Sequence, residues 1–136
     1  MSFLYNISIQ IFVMAARISA LFNTKARLWH KGSRNIFKQL SEAIQEEKNI
    51  VWFHCASLGE FEQGKPIIEA YKQKHPKHKI LLTFFSPSGY EIRKNYKGAD
   101  WVFYLPADTK ANAKRFISIV KPIKVVFIKY EFWFNY

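Results

Sequence analysis

The residues best suited to chemistry stand where apolar runs end. Ala56-Ser57-Leu58-Gly59-Glu60 follows the run Ile50-Val51-Trp52-Phe53-His54-Cys55. Gly59 permits a tight turn there, and Glu60 falls at or just before the start of a helix. A carboxylate at a helix's positive end tends to stay ionised, and an ionised carboxylate can take a proton from an incoming hydroxyl. The same position suits a carboxylate that only satisfies the helix's first backbone N–H groups, and spacing leaves both readings open. Ser86-Pro87-Ser88-Gly89 holds the equivalent place after Lys79–Phe85. Its hydroxyls and backbone N–H groups can hold a phosphate or sugar oxygen, or serve as an ordinary capping turn. Lys129-Tyr130-Glu131-Phe132-Trp133 follows the last apolar run. It reads as a carboxylate beside Lys129 with an aromatic wall for a sugar ring, or as a hydrophobic seam with a surface salt bridge. His54 and Cys55 read as a core histidine beside a small buried thiol, and His30, His75 and His78 as solvated loop residues. No His or Cys pair has metal-ligand spacing, so no metal site is expected.

The elements that must position these groups alternate. Ile36, Phe37, Leu40, Ala43 and Ile44 make one apolar helical face. Ile50–Cys55 is short, unbroken and suited to a strand buried on both faces. A loop over 56–64 leads to a helix near Lys65–Lys74, with Pro66 acceptable in its first turn. Lys79–Phe85 is a second strand, followed by a turn at 86–89 and a short helix to about Asn95. Trp101–Tyr104 is a third strand. Asp108 or Thr109 caps a helix striped by Ala113, Phe116, Ile117 and Val120, and Ile123–Ile128 is a fourth strand. Strands separated by helices imply a parallel sheet covered on both faces. Right-handed crossovers then bring the loops at 56–60, 86–89, 105–108 and 129–133 to the sheet edge where ligands bind. Neither G-x-G-x-x-G nor the phosphate-cradling G-x-x-x-x-G-K followed by Ser or Thr is present.

The chain has 136 residues, 49 % of them apolar and 18 % aromatic, which excludes disorder. One cysteine excludes an intrachain disulfide framework and a Cys-rich zinc site. The formal charge of +11 favours anionic partners. It is unevenly spread: Arg17, Lys25, Arg27, Lys31, Arg34 and Lys38 all precede the first acidic residue, Glu42. This basic block follows an apolar stretch from Phe3 to Phe22, about the length that crosses a bilayer as a helix. Asn6, Gln10 and Arg17 form a narrow polar stripe on it. A membrane-associated helix with a basic flank over 1–33, followed by one domain over 34–136, is the reading preferred here. The helix can lie in the interface or span. A cleaved signal peptide, a buried core helix and half of a helical hairpin are the competing readings. The aromatic end at Tyr136, just past a buried strand, is expected to continue into a longer protein.

Four stretches resemble one family. His54-Cys55-Ala56-Ser57-Leu58-Gly59-Glu60-Phe61-Glu62 with Gly64-Lys65-Pro66-Ile67-Ile68 is similar to the opening motif of bacterial 3-deoxy-D-manno-octulosonic acid (Kdo) transferases. Thr83–Tyr90, Tyr104–Asp108 and Lys129–Trp133 match the same family in order. The resemblance implies a Rossmann-like parallel sheet flanked by helices, the N-terminal half of a GT-B glycosyltransferase, preceded by a membrane-associated helix. It implies transfer of Kdo from CMP-Kdo to the lipid A precursor in lipopolysaccharide biosynthesis, on the cytoplasmic face of the cell inner membrane and among its lipids, with no cofactor or metal. Glu60 matches the general base, and Glu131 a second carboxylate of the cleft. Ser57, Gly59, Ser86, Ser88, Gly89 and Lys129 are expected to line substrate. In the family the N-terminal domain handles the acceptor and the C-terminal domain most of CMP-Kdo, so these 136 residues alone are expected to be inactive. Another GT-B membrane glycosyltransferase and a non-catalytic basic membrane-peripheral module are the alternatives. Nucleic acid is not an expected partner, because the aromatics fit core positions and not a stacking platform.

Overall fold

The computed structural model describes residues 2–129 and 132–136. Helices α1 (Ser2–Ser19), α2 (Thr24–Ser33) and α3 (Ile36–Ile44) precede a βα alternation. This runs β1 (Ile50–Cys55), α4 (Leu58–Lys74), β2 (Lys79–Phe84), α5 (Pro87–Arg93), β3 (Trp101–Tyr104), α6 (Lys110–Val120) and β4 (Lys124–Phe127). The strands form one sheet in the order β3-β2-β1-β4, and every pair is parallel. Cys55 pairs with Phe84 and Phe84 with Tyr104, so the strands end nearly level.

Burial follows the period-2 alternation of the central strands. Ile50, Trp52 and Leu81 face a core completed by Leu40 and Ile44 of α3 and by Phe116 and Val120 of α6. Val51, Phe53, Cys55, Ile80 and Leu82 face the other side, against Phe61 and Ile68 of α4. The α/β class read from the alternation is therefore the observed one.

Several boundaries differ from expectation, each for a local reason. Helix α4 begins at Leu58, not near Lys65, because Ser57 and Glu60 close a capping box over its first turn. Gly59 is helical with no positive φ, so it is not a turn glycine. Helix α5 ends at Arg93. Thr109 caps α6, its Oγ1 accepting from Asn112 N at 3.2 Å, while Asp108 is engaged elsewhere. Ile117 is exposed, and the buried stripe is Ala113, Phe116 and Val120. His30 is exposed on α2, and His75 and His78 are half-buried, their rings stacked at 5.0 Å. Tyr71 Oη and His78 Nδ1 lie 2.9 Å apart, which holds that pair against α4.

Helix α1 stops four residues short of α2, and Asn23 caps α2 by accepting from Lys25 N and Ala26 N. The chain bends by 114° between the two helices. Among the described residues no single helix is long and apolar enough to cross a membrane, although this bent pair passes that test together. Tyr5, Ile9, Val13 and Ala16 are half-buried toward the body. Phe3 (74 % exposed), Leu4, Ile7, Ile11, Met14 and Ile18 are turned outward, which is not the pattern of a core helix.

Candidate functional site

The loops that leave the strands' C-terminal ends are joined by backbone hydrogen bonds. Ser86 N donates to Ala56 O at 2.7 Å, linking the turns after β2 and β1. Leu105 N donates to Phe84 O, and Ile128 N to His54 O. The edge predicted to bind ligands is thus a fastened surface.

Glu60 stands in the first turn of α4, half-exposed on this edge. Its Oε2 accepts from Ser57 N at 2.7 Å and from Ser57 Oγ at 3.1 Å. Among the described residues Oε1 accepts no hydrogen bond. One oxygen is therefore fixed by the helix cap while the other is open to receive a proton. The two readings left open by spacing are compatible: the capping contact orients the carboxylate that would act as base. Gly59, beside it, is exposed, with open space around an added Cβ.

Ser86 caps α5: its Oγ accepts from Ser88 N at 3.3 Å and lies 2.8 Å from Ser88 Oγ. Both hydroxyls are half-buried at the edge. Gly89 is buried with a packing role, since a Cβ there would stand 2.3 Å from Phe84 Cδ1. Lys129 is exposed just past β4, with a left-handed φ of 67°. Tyr130 and Glu131 lie outside the described residues. Trp133, two residues on, packs at 5.3 Å from the His54 ring and 5.1 Å from Phe85, which brings the segment after β4 over the ends of β1 and β2.

His54 is fully buried at the end of β1. Trp52 Nε1 donates to Thr83 Oγ1 at 2.7 Å, and Thr83 Oγ1 lies 2.9 Å from His54 Nδ1. Burial holds the imidazole neutral, its pKa pushed down to about 3. A neutral, enclosed ring is a scaffold for Trp133 and no proton carrier at neutral pH.

Asp108 is the residue that sequence reasoning undervalued by reading it as a cap. It is buried in the loop after β3, accepts from Tyr5 Oη of α1, and accepts from Asn135 N at 3.2 and 3.3 Å. Asn135 Nδ2 donates to Asp108 O and to Asn6 Oδ1. A buried carboxylate demands such donors. The signal was its place at the end of Tyr104–Asp108, one of the four motif stretches.

Beside this edge runs an apolar groove of about 380 Å³ between Phe12, Ala15 and Ala16 of α1, Ala26 and Trp29 of α2, and Phe85-Ser86-Pro87. Among the described residues no cluster of three or more His, Cys, Asp or Glu is arranged to hold a metal ion.

Comparison with known proteins decides the family. Residues 31–136 match the model described as 3-deoxy-D-manno-octulosonic-acid transferase (kdotransferase). The chain belongs to the Kdo transferase family. It is 37 % identical over 93 residues to the 3-deoxy-D-manno-octulosonic acid transferase of Aquifex aeolicus, which covers 68 % of this chain and 26 % of that protein. It is 30 % identical over 86 residues to the Haemophilus influenzae protein of the same name, covering 62 % and 20 %. It is 30 % identical over 105 residues to a bifunctional glycosyltransferase/methyltransferase of Fusobacterium nucleatum, covering 74 % and 16 %. The chain thus spans about a quarter or less of the length of these relatives. The Kdo transferase match includes Glu60, both serines of the α5 cap and Asp108, and begins within α2, after α1.

Proposed function

We propose that this chain is the acceptor-side domain of a GT-B glycosyltransferase that moves Kdo from CMP-Kdo to the lipid A precursor. The observation that carries the reading is Glu60: a carboxylate on the ligand edge, within the residues that match the family, held by Ser57 through Oε2 and open at Oε1. In this reading the acceptor sugar hydroxyl loses its proton to Glu60 Oε1 as its oxygen bonds to the anomeric carbon of Kdo. The bond from that carbon to CMP breaks, and CMP leaves with the electron pair. General-base help of this kind is typically worth about 10²–10⁴-fold. In this reading Ser57, Gly59, Ser86 and Ser88 line the acceptor's approach, with Lys129 just past β4; Gly89 serves by setting the Ser86 turn against Phe84.

The outward apolar face of α1 supports placement in the bilayer interface, where the acceptor's acyl chains are confined. The groove beside Ser86 is apolar and suits such a chain. In this reading the domain works in lipopolysaccharide biosynthesis on the cytoplasmic face of the inner membrane. CMP-Kdo would be held chiefly by a second domain, so the 136 residues alone are expected to transfer nothing.

The test is transfer of labelled Kdo from CMP-Kdo to tetraacylated lipid A precursor, by the 136 residues alone and by the same residues joined to a donor-binding domain. Product only from the joined polypeptide supports the reading. Product from the 136 residues alone overturns the division of labour. No product from a folded, membrane-bound joined polypeptide overturns the donor or acceptor assignment.

A further inference from the structure

We infer that the cavity between α1, α2, α3 and the start of α6 is a binding site for the phosphate of an anionic membrane phospholipid. The cavity has about 780 Å³. Arg17 enters it from α1, Arg34 and Lys38 from the α2–α3 junction and α3, and Arg115 from α6, with His30 beside them; no Asp or Glu lines it. Four cations in one concavity repel one another unless an anion joins them. Of these four, only Lys38 has an ion-pair partner among the described residues, Glu42 at 3.8 Å, and both are highly exposed, so that pair holds Lys38 weakly. The Arg115 guanidinium is instead steadied over the Phe37 ring at 4.6 Å, a contact that leaves its N–H donors available.

Two neutral donors point the same way. Trp29 is 8 % exposed and Ser33 half-buried, both line the cavity, and Trp29 Nε1 and Ser33 Oγ are buried with no hydrogen-bond partner. Buried donors are almost always satisfied. Guanidinium groups around one concavity suit a tetrahedral oxyanion, which accepts from several directions at once, while the Trp29 and Ser33 donors lie sealed behind its wall.

The phosphate's carrier follows from α1. Val13 and Arg17 line the cavity, while Ile7, Ile11, Met14 and Ile18 of the same helix face outward. A headgroup seated here leaves its acyl chains beside that face. This part rests on α1 lying in the membrane interface. The cavity adjoins the ligand edge, since Pro106 and Ala107 of the loop after β3 line it and Trp29 borders both it and the apolar groove, but it lies away from Glu60, because α3 and α6 cover the sheet face opposite α4.

The experiment measures binding of the full chain to vesicles of phosphatidylcholine alone and with phosphatidylglycerol. It compares wild type, the cavity variant Arg34→Gln/Lys38→Gln/Arg115→Gln, and the charge-matched surface control Lys74→Gln/Lys77→Gln/Lys97→Gln. The cavity variant should bind phosphatidylglycerol vesicles at least about ten-fold more weakly, and the control less than about three-fold. Equal losses would overturn the site in favour of diffuse attraction. Binding to phosphatidylcholine with no gain from phosphatidylglycerol would overturn it while leaving the membrane reading of α1 intact; no binding to either would overturn both. A measurement free of substitutions is the Trp29 indole ¹⁵N–¹H signal. It should move with short-chain phosphatidylglycerol and stay with phosphatidylcholine. A shift with inorganic phosphate and none with phosphatidylglycerol would overturn the lipid as the source.

Discussion

A single carboxylate carries both structure and the proposed chemistry. Glu60 accepts from Ser57 through one oxygen and presents the other, so its two tasks separate by atom. Glutamine can fill the same capping position, whereas it cannot take a proton as a base. Ser57→Ala removes the Oγ donor and part of the cap; it should cost about 1 kcal/mol in urea unfolding and lower transfer by letting the carboxylate turn. His54 makes a different prediction. Its folded pKa, about 3, lies below the ordinary 6.5 because burial disfavours the cation. Below pH 6.5 the unfolded chain binds the proton that the folded chain refuses, so stability is full above that pH and falls as pH drops toward 3. The limiting slope is about 1.4 kcal/mol per pH unit for one such group. Urea unfolding at pH 7.5 and 5.5 should show wild type losing more stability than His54→Gln; equal losses would contradict the assignment.

At the scale of elements, the glycines show what alternation and composition conceal. Gly59 looked like a turn glycine because it follows a strand, yet it lies inside α4 with open space beside it. Gly59→Ala should therefore stabilise by up to about 1 kcal/mol through helix propensity, read as a higher melting temperature. Gly89→Ala should do the reverse, because its Cβ would meet Phe84 at 2.3 Å. Overpacking of this kind costs about 1–3 kcal/mol, and the Ser86–Ser88 cap should shift with it, visible in their amide chemical shifts. The early start of α4 was legible in principle. Ser57-x-x-Glu60 is a capping-box pattern, whereas Pro66, which suits a first turn, pulls the expected start toward Lys65 although it lies inside the helix.

The whole molecule was legible in outline and opaque in its long-range ties. Short apolar runs alternating with amphipathic ones are enough for a parallel sheet, and its level strand ends follow from that connectivity. The contact between Tyr5, Asp108 and Asn135 has no local pattern, since its partners are 103 and 27 residues from Asp108. It fastens α1 and the segment after β4 to the loop after β3, which links the proposed membrane face to the substrate edge. Asp108→Asn removes the charge that holds both, so amide hydrogen exchange should quicken together in α1 and in 132–136 while α4 is unchanged. Quickening in only one of the two would contradict a shared latch.

The central claim is that this domain positions an acceptor hydroxyl against Glu60. Its most direct test is turnover of CMP-Kdo and lipid A precursor by the residues joined to a donor-binding domain, wild type against Glu60→Gln. Matched melting temperatures with a loss of at least about 10²-fold in kcat are predicted. Near-normal turnover by Glu60→Gln would contradict the claim and leave Glu60 as a helix cap.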